Sequence, residues 1–182
     1  MKQNIKEDAI FAKEFGGLLS SGINLETTVK VVGEEMPDYK ELGEAILQGN
    51  YDAMDQYSPF LVEMIKYSAD EGKLDKALED AAGGLEREVR FGDGQGQLAQ
   101  NIIICDQLGK LTQYGCNLKE AMEIVTKGKI QLDEDEEAYE TIAESEMFYP
   151  SVLVLFEEGG EHLPRLLQKK ADALEFVYNL RK

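Results

Sequence analysis

The sequence offers few side chains that could act as catalysts or metal ligands. His162 is the only histidine, and the two cysteines, Cys105 and Cys116, are well separated from it along the chain. A catalytic histidine needs a nucleophile and an orienting acid beside it, and a zinc site needs three or four ligands at characteristic spacing. This pattern meets neither requirement. We therefore interpret His162 as a surface or helix-start residue and expect no catalytic, metal-binding or cofactor-binding residue.

Carboxylates are the most abundant group that could bind an ion or transfer a proton. The run Asp133-Glu134-Asp135-Glu136-Glu137 is the densest, and such oxygens suit calcium or magnesium. Consecutive carboxylates on a helix point in different directions, however, and the spacing of a calcium-binding loop is absent. We interpret the run as a solvated helix start that complements the helix dipole, with a weak divalent ion as the alternative. Solvated helix faces are also the default for the other candidate acids, which are Glu14, Glu34, Glu35, Asp70 and Glu71.

A glycine-rich segment, Gly92-Asp93-Gly94-Gln95-Gly96, resembles a phosphate-binding loop only in composition. Such loops follow a strand and present the N-terminus of the next helix to the phosphate. No strand is predicted before this segment, the glycine spacing is wrong, and an aspartate lies in its middle. We predict a flexible linker at residues 92–97, separating a first module at 1–91 from a second at 98–182.

The net charge of the chain limits its partners. Its 182 residues contain 19 Lys plus Arg and 36 Asp plus Glu, which gives a formal charge of −17. This balance argues against nucleic acid, whose binding depends on basic side chains, and against an anionic membrane surface. The charge is explained either by solubility and repulsion between copies or by a basic protein partner.

Cysteine use and hydropathy predict a soluble protein of a reducing, cytoplasmic compartment. Two cysteines do not make a disulfide framework, and Cys105 falls on an apolar helix stripe, where a small buried hydrophobe is expected. The N-terminal residues have no apolar signal core. The longest apolar runs are far shorter than the ~20 residues needed to span a bilayer.

One block of the chain occurs twice. Residues 11–32 align on residues 104–125 without a gap, and the downstream leucines Leu74 and Leu78 recur as Leu163 and Leu167. A period of about 90 residues indicates a duplicated helical module. The identical pairs within the block are Gly16/Gly109, Leu18/Leu111, Gly22/Gly115, Asn24/Asn117, Leu25/Leu118 and Val32/Val125.

The duplicated block predicts a helical hairpin. Phe11, Phe15 and Leu18 recur at helical spacing, Gly22 ends the helix in the left-handed conformation, and Asn24 caps the next one. The short spacer makes the two helices antiparallel. Gly16 and Gly17 lie mid-helix, where a close helix crossing would justify them.

The rest of the chain also reads as helix, which gives an all-α protein of two tandem antiparallel helical bundles. We predict further helices at residues 38–48, 51–57 and 74–89, from Ser58-Pro59, at 133–146, and from about Pro150 and Pro164.

The first copy resembles the cytoplasmic helical module of type II secretion system protein F, a family that includes the inner-membrane platform proteins of type IV pili. Part of a glycine signature of the family survives as Glu71-Gly72-Lys73-Leu74, and 157–163 is a more degenerate counterpart. The hairpin residues that match are Phe11, Phe15, Leu18, Leu19, Gly22, Ile23, Leu25 and Val29.

The resemblance implies a non-catalytic scaffold that binds other proteins of a secretion or pilus machine, such as its assembly ATPase or inner-membrane components, and that can form homo-oligomers. Family members carry two such modules, each leading into membrane-spanning helices. Here the first module leads into the glycine-rich linker, as expected for a soluble offshoot or for a chain without the membrane parts. The protein would then be cytoplasmic, or held at the inner membrane through partners. The alternative is an unrelated acidic helical adaptor that binds a basic protein.

Overall fold

The protein is all-α. The computed structural model describes residues 4–69, 72–94, 96–133 and 138–182, and the regular structure within these ranges is helical throughout. The chain divides into two compact units, Met1–Glu86 (unit 1) and Arg87–Lys182 (unit 2). None of the described helices is both long enough and apolar enough to cross a bilayer.

Unit 1 opens with the predicted hairpin. Asn4 caps the first helix by accepting a hydrogen bond from the Glu7 amide at 3.2 Å, and Pro59 lies in the first turn of the fourth, where its missing N–H costs nothing. The helices are α1 (Ile5–Ser20), α2 (Leu25–Glu35), a 3₁₀ turn (Pro37–Tyr39), α3 (Lys40–Gln48), α4 (Pro59–Ala69) and α5 (Leu74–Phe91).

Aromatic side chains form the centre of unit 1. The Phe11 ring stacks on Tyr39, with centroids 5.1 Å apart, and Tyr39 in turn contacts Tyr57 at 5.2 Å. Leu61 and Met64 of α4 are completely buried as well. Because Phe11 and Phe15 both face inward at helical spacing, the apolar stripe predicted for α1 is confirmed.

The short helix predicted at residues 51–57 is wrong. This segment consists of turns, with Ala53 at φ 59°. The Asn50 side chain accepts a hydrogen bond from the Asp52 amide at 3.1 Å, a local bond that competes with helix formation. Tyr57 is anchored through its hydroxyl, which donates to the Asp38 carbonyl at 2.8 Å. The segment is therefore held by a long-range contact and not by helical periodicity.

Unit 2 is organised around one buried helix. It contains α6 (Gln97–Gln113), α7 (Leu118–Val125), α8 (Ala138–Glu144), α9 (Pro150–Glu158), a 3₁₀ turn (Gly160–His162) and α10 (Leu163–Arg181). Residues 101–109 of α6 are all buried, and α10 packs along this helix. Val152 of α9 and Leu167 of α10 complete the core.

The acidic helix predicted at residues 133–146 is shorter than expected. Asp133 lies outside any helix and α8 begins at Ala138, while 134–137 fall outside the described residues. Upstream, Ile130 and Leu132 are buried, and the Ile130 amide donates to the Thr126 hydroxyl at 3.1 Å. These two apolar anchors belong to residues 130–133, which are not helical.

The two units divide inside α5, not at the glycine-rich segment. Helix α5 ends at Phe91 and α6 begins at Gln97, whereas the division into two units falls between Glu86 and Arg87. Arg87 makes ion pairs with Asp106 and Asp172 of unit 2. These pairs explain why the last turns of α5 group with the second half of the chain.

Candidate functional site

The two hairpin glycines have the same backbone conformation. Gly22 has φ 91° and Gly115 has φ 104°, a region open to glycine at low cost. The residue after each glycine donates its amide back into the preceding helix: Ile23 to the Leu18 carbonyl and Cys116 to the Leu111 carbonyl, both at 3.1 Å. Helices α1 and α6 therefore end in the same way, with a left-handed glycine followed by a backbone hydrogen bond to the helix.

The two asparagines also have matching roles. Asn24 accepts a hydrogen bond from the Thr27 amide and Asn117 accepts one from the Glu120 amide, each at 2.8 Å. Their backbone angles agree within a few degrees, at φ −69° and ψ 162° for Asn24 and φ −70° and ψ 156° for Asn117. The capping predicted from the sequence is confirmed at both asparagines.

The mid-helix glycines allow close helix crossings. A Cβ added at Gly16 would lie 3.0 Å from the Leu78 Cβ and 3.3 Å from the Asp75 carbonyl oxygen. One added at Gly109 would lie 2.7 Å from the Pro164 carbonyl oxygen. The expected crossing is thus present at Gly16 and Gly109. At Gly17 no described atom outside its own helix lies within 4 Å of an added Cβ, so the crossing involves Gly16 and not Gly17.

The partner residues at these crossings correspond as well. Gly16 faces α5 and Gly109 faces α10. The repeat that pairs Leu78 with Leu167 also pairs Asp75 with Pro164, and these two carbonyls contact the added Cβ atoms. Gly16 thus lies against the first turns of α5, and Gly109 lies against the first turns of α10.

A buried aspartate that the sequence reasoning missed holds unit 1 together. Asp8 is fully buried. One of its carboxylate oxygens accepts a hydrogen bond from the Tyr39 hydroxyl, and the other accepts one from the Ser58 amide at 2.9 Å. Ser58 immediately precedes Pro59, so the carboxylate fixes the start of α4.

Asn101 has the corresponding role in unit 2. It is also fully buried. Its side-chain oxygen accepts a hydrogen bond from the Tyr149 amide at 3.2 Å, and its side-chain nitrogen donates to the Met147 carbonyl at 2.8 Å. Tyr149 immediately precedes Pro150, the first residue of α9. Extending the gap-free alignment three residues upstream pairs Asp8 with Asn101. This pairing is the sequence feature that could have indicated their related roles.

Tyr39 makes the stability of unit 1 depend on pH in the alkaline range. Burial and the hydrogen bond to Asp8 raise the pKa of Tyr39 far above its usual value, and burial also raises the pKa of Tyr57. Their protonated forms are therefore favoured in the folded state. The stability they contribute is fully present below the unfolded pKa of about 10 and is lost as pH rises beyond it.

We expect urea-unfolding midpoints to fall between about pH 8 and about pH 11, and to fall less in Tyr39→Phe. Tyr57→Phe is the matched variant. Burial raises the pKa of the Tyr57 hydroxyl as it does that of Tyr39, but Tyr57 has no bond to a carboxylate. An equal fall in the wild-type protein and in both variants would contradict this assignment.

A cluster of charges surrounds the buried Asp106 in unit 2. The Arg87 guanidinium donates to Asp106 at 2.8 Å and to Asp172, and Lys110 donates to the second Asp106 oxygen at 3.1 Å. Burial opposes the charged form of Arg87, but the hydrogen bond to Asp172 and the neighbouring carboxylates raise its pKa above the usual value. These charges hold the end of α5 to α6 and α10.

The other described residues singled out from the sequence differ in their surroundings. The His162 side chain is 62% exposed, 3.6 Å from the Glu161 carboxylate, which agrees with a helix-start surface residue. Cys105 is fully buried, and this burial raises the pKa of its thiol to about 12. Glu14, Glu34 and Glu35 are exposed. Asp70 and Glu71, like residues 134–137, lie outside the described residues.

Unit 1 has a wide groove on its surface with a volume of about 850 Å³, which we call the acidic groove. It lies beside the 3₁₀ turn, between the start of α1, the end of α2, α3 and the segment that ends at Tyr57. Its lining residues are Asn4, Glu7, Glu35, Met36, Pro37, Asp38, Tyr39, Lys40, Glu41, Glu44, Gln56 and Tyr57.

No protein-family model matches the chain, and neither does any curated protein or solved structure.

Proposed function

We propose that the protein is a non-catalytic scaffold that binds other proteins through two copies of one helical module. The observation that carries this proposal is the set of matching structural features in the two units. Each unit has the hairpin glycine, the capping asparagine, the glycine at a close crossing and the buried polar side chain before a proline. Such agreement supports an internal duplication, and it shows buried polar groups used to hold helices in place.

The partners we propose are components of a secretion or pilus machine, either its assembly ATPase or its inner-membrane proteins. This part rests on the similarity of the α1–α2 hairpin to the cytoplasmic modules of secretion and pilus platform proteins. The residues of that pattern play structural parts here: Phe11 and Phe15 are buried and Gly22 ends α1. The protein would act in the cytoplasm, or at the inner membrane through its partners.

Affinity purification from the native cell tests this proposal. We expect the tagged chain to recover an assembly ATPase or an inner-membrane component of such a machine. An unrelated acidic helical protein of similar net charge, tagged in the same way, is the control for non-specific capture of basic proteins. Recovery of metabolic enzymes alone, or of the same proteins by bait and control, would contradict the proposal.

The second candidate is an acidic adaptor, unrelated to secretion platforms, that holds a basic protein. The acidic groove is the observation that favours it. Charge-driven binding weakens steeply with added salt, whereas a mainly apolar contact does not. Since either candidate can use this groove, salt dependence identifies a charge-driven contact, and the identity of the recovered protein separates the two candidates: a component of a secretion or pilus machine for the scaffold, and a basic protein from outside such a machine for the adaptor.

A further inference from the structure

The acidic groove combines an apolar floor with a charged rim. Four of its lining residues are largely apolar, and we call them its floor: Tyr39, Tyr57, Met36 and Pro37. Both tyrosines are almost fully buried. Both tyrosine hydroxyls are engaged, with Asp8 and with the Asp38 carbonyl. The floor is therefore fixed by contacts inside unit 1 before anything binds to it, which lowers the entropic cost of binding.

The rim of the groove is strongly negative. Its five carboxylates belong to exposed residues, and Lys40 is the one cation among the described residues that line it. The Lys40 side chain packs beside Gly33 of α2, where its Cγ would lie 3.5 Å from an added Cβ. The carboxylates are those of Glu7, Glu35, Asp38, Glu41 and Glu44.

The volume and the charge of the acidic groove indicate what kind of ligand it binds. A groove of about 850 Å³ is of the size that takes a large ligand or several side chains, much more than a single ion requires. Side chains with long apolar stems and positive heads match it, because the stems cover the floor while the heads reach the carboxylates. A second copy of this chain is disfavoured, since each copy carries a formal charge of −17.

We propose that the acidic groove binds a short segment of a partner protein rich in arginine, lysine and aliphatic residues. The inference rests on the proposed role of the chain as a protein-binding scaffold, and it assigns a surface and a chemistry to one of its partners. The carboxylates of Glu35, Asp38 and Glu44 bind the positive heads, and Met36 and Pro37 contact the aliphatic side chains.

Fluorescence anisotropy with labelled peptides of about twelve residues tests the groove directly. The probe alternates arginine and leucine, and two comparison peptides replace arginine with glutamine or leucine with serine. We expect the arginine–leucine peptide to bind most tightly and to weaken with salt. Equal binding of the glutamine–leucine peptide would overturn the proposal, because the rim charges would then have no role.

Two charge-matched variants locate the binding. Glu35→Gln/Asp38→Asn/Glu44→Gln removes three carboxylates from the groove, and Glu14→Gln/Glu34→Gln/Asp52→Asn removes three from elsewhere in unit 1. We expect the groove variant to weaken binding about tenfold and the control variant less than about twofold. Equal losses in both variants would mean that only the net charge matters, which overturns the proposal.

A single substitution provides a further measurement if the triple variant does not fold. Lys40→Gln keeps most of the side-chain stem beside Gly33 but removes the positive charge, so peptide binding should become about twofold tighter. Unchanged or weaker binding contradicts the proposal.

If the peptide binds but the native cell yields no machine component, the scaffold function is contradicted and the groove inference is not. If machine components are recovered equally by wild type and groove variant, the groove inference fails alone.

Discussion

Replacing Asp8 with alanine is expected to lower the free energy of unfolding by about 3 kcal/mol. The carboxylate accepts hydrogen bonds from the Tyr39 hydroxyl and the Ser58 amide, and all of these groups are buried. Alanine removes the acceptor and leaves two buried donors without it. Few single substitutions in unit 1 should cost more, because the same side chain holds the 3₁₀ turn and the start of α4.

Asp8→Asn is the matched variant, since it keeps the shape of the side chain but offers one oxygen to two donors. We expect a smaller loss, about 1 to 2 kcal/mol. Urea unfolding at neutral pH measures both changes. If Asp8→Ala and Asp8→Asn proved equally stable, or if both matched the wild type, the carboxylate would not carry the role assigned to it.

The local features of the fold were predictable from the sequence because the residues that cause them are neighbours in the chain. Gly22 ends α1 through its own backbone conformation, and Asn24 caps α2 through an amide three residues later. The prolines at the starts of α4 and α9 act in the same local way. An isolated segment contains all the information needed for such features.

Features that depend on distant residues were missed or predicted wrongly. Nothing near Asp8 shows that it will be buried against Ser58, fifty residues away. Similarly, the segment at 51–57 looked helical because the contact of Tyr57 with Asp38 could not be seen. The acidic groove gathers side chains from separate helices and therefore leaves no compact motif. Among the sequence patterns, the predicted repeat alone indicates such positions, because its alignment pairs Asp8 with Asn101.

The helix crossings explain why glycine lies in the middle of α1 and α6, where it would otherwise cost about 1 kcal/mol relative to alanine. At Gly109 the nearest atoms to an added Cβ include the backbone oxygen of Pro164 at 2.7 Å, and a backbone atom cannot rotate away. At Gly16 the nearest atom is the Leu78 Cβ at 3.0 Å. Neither neighbour is the flexible end of a side chain, so α5 and α10 must shift.

We therefore expect Gly109→Ala to lower the free energy of unfolding by about 2 kcal/mol, despite the better helix propensity of alanine. Gly16→Ala should also destabilise the protein, but by less, because its contacts are longer.

Gly17→Ala is the internal control for these two substitutions. Gly17 lies in the same helix as Gly16, and no described atom outside that helix lies within 4 Å of the added Cβ, so the alanine should stabilise the protein by about 0.5 to 1 kcal/mol. Urea denaturation of the three single variants measures these changes. If all three alanines stabilised the protein alike, the close crossings would not constrain the fold, and the strongest structural correspondence between the two units would lose its meaning.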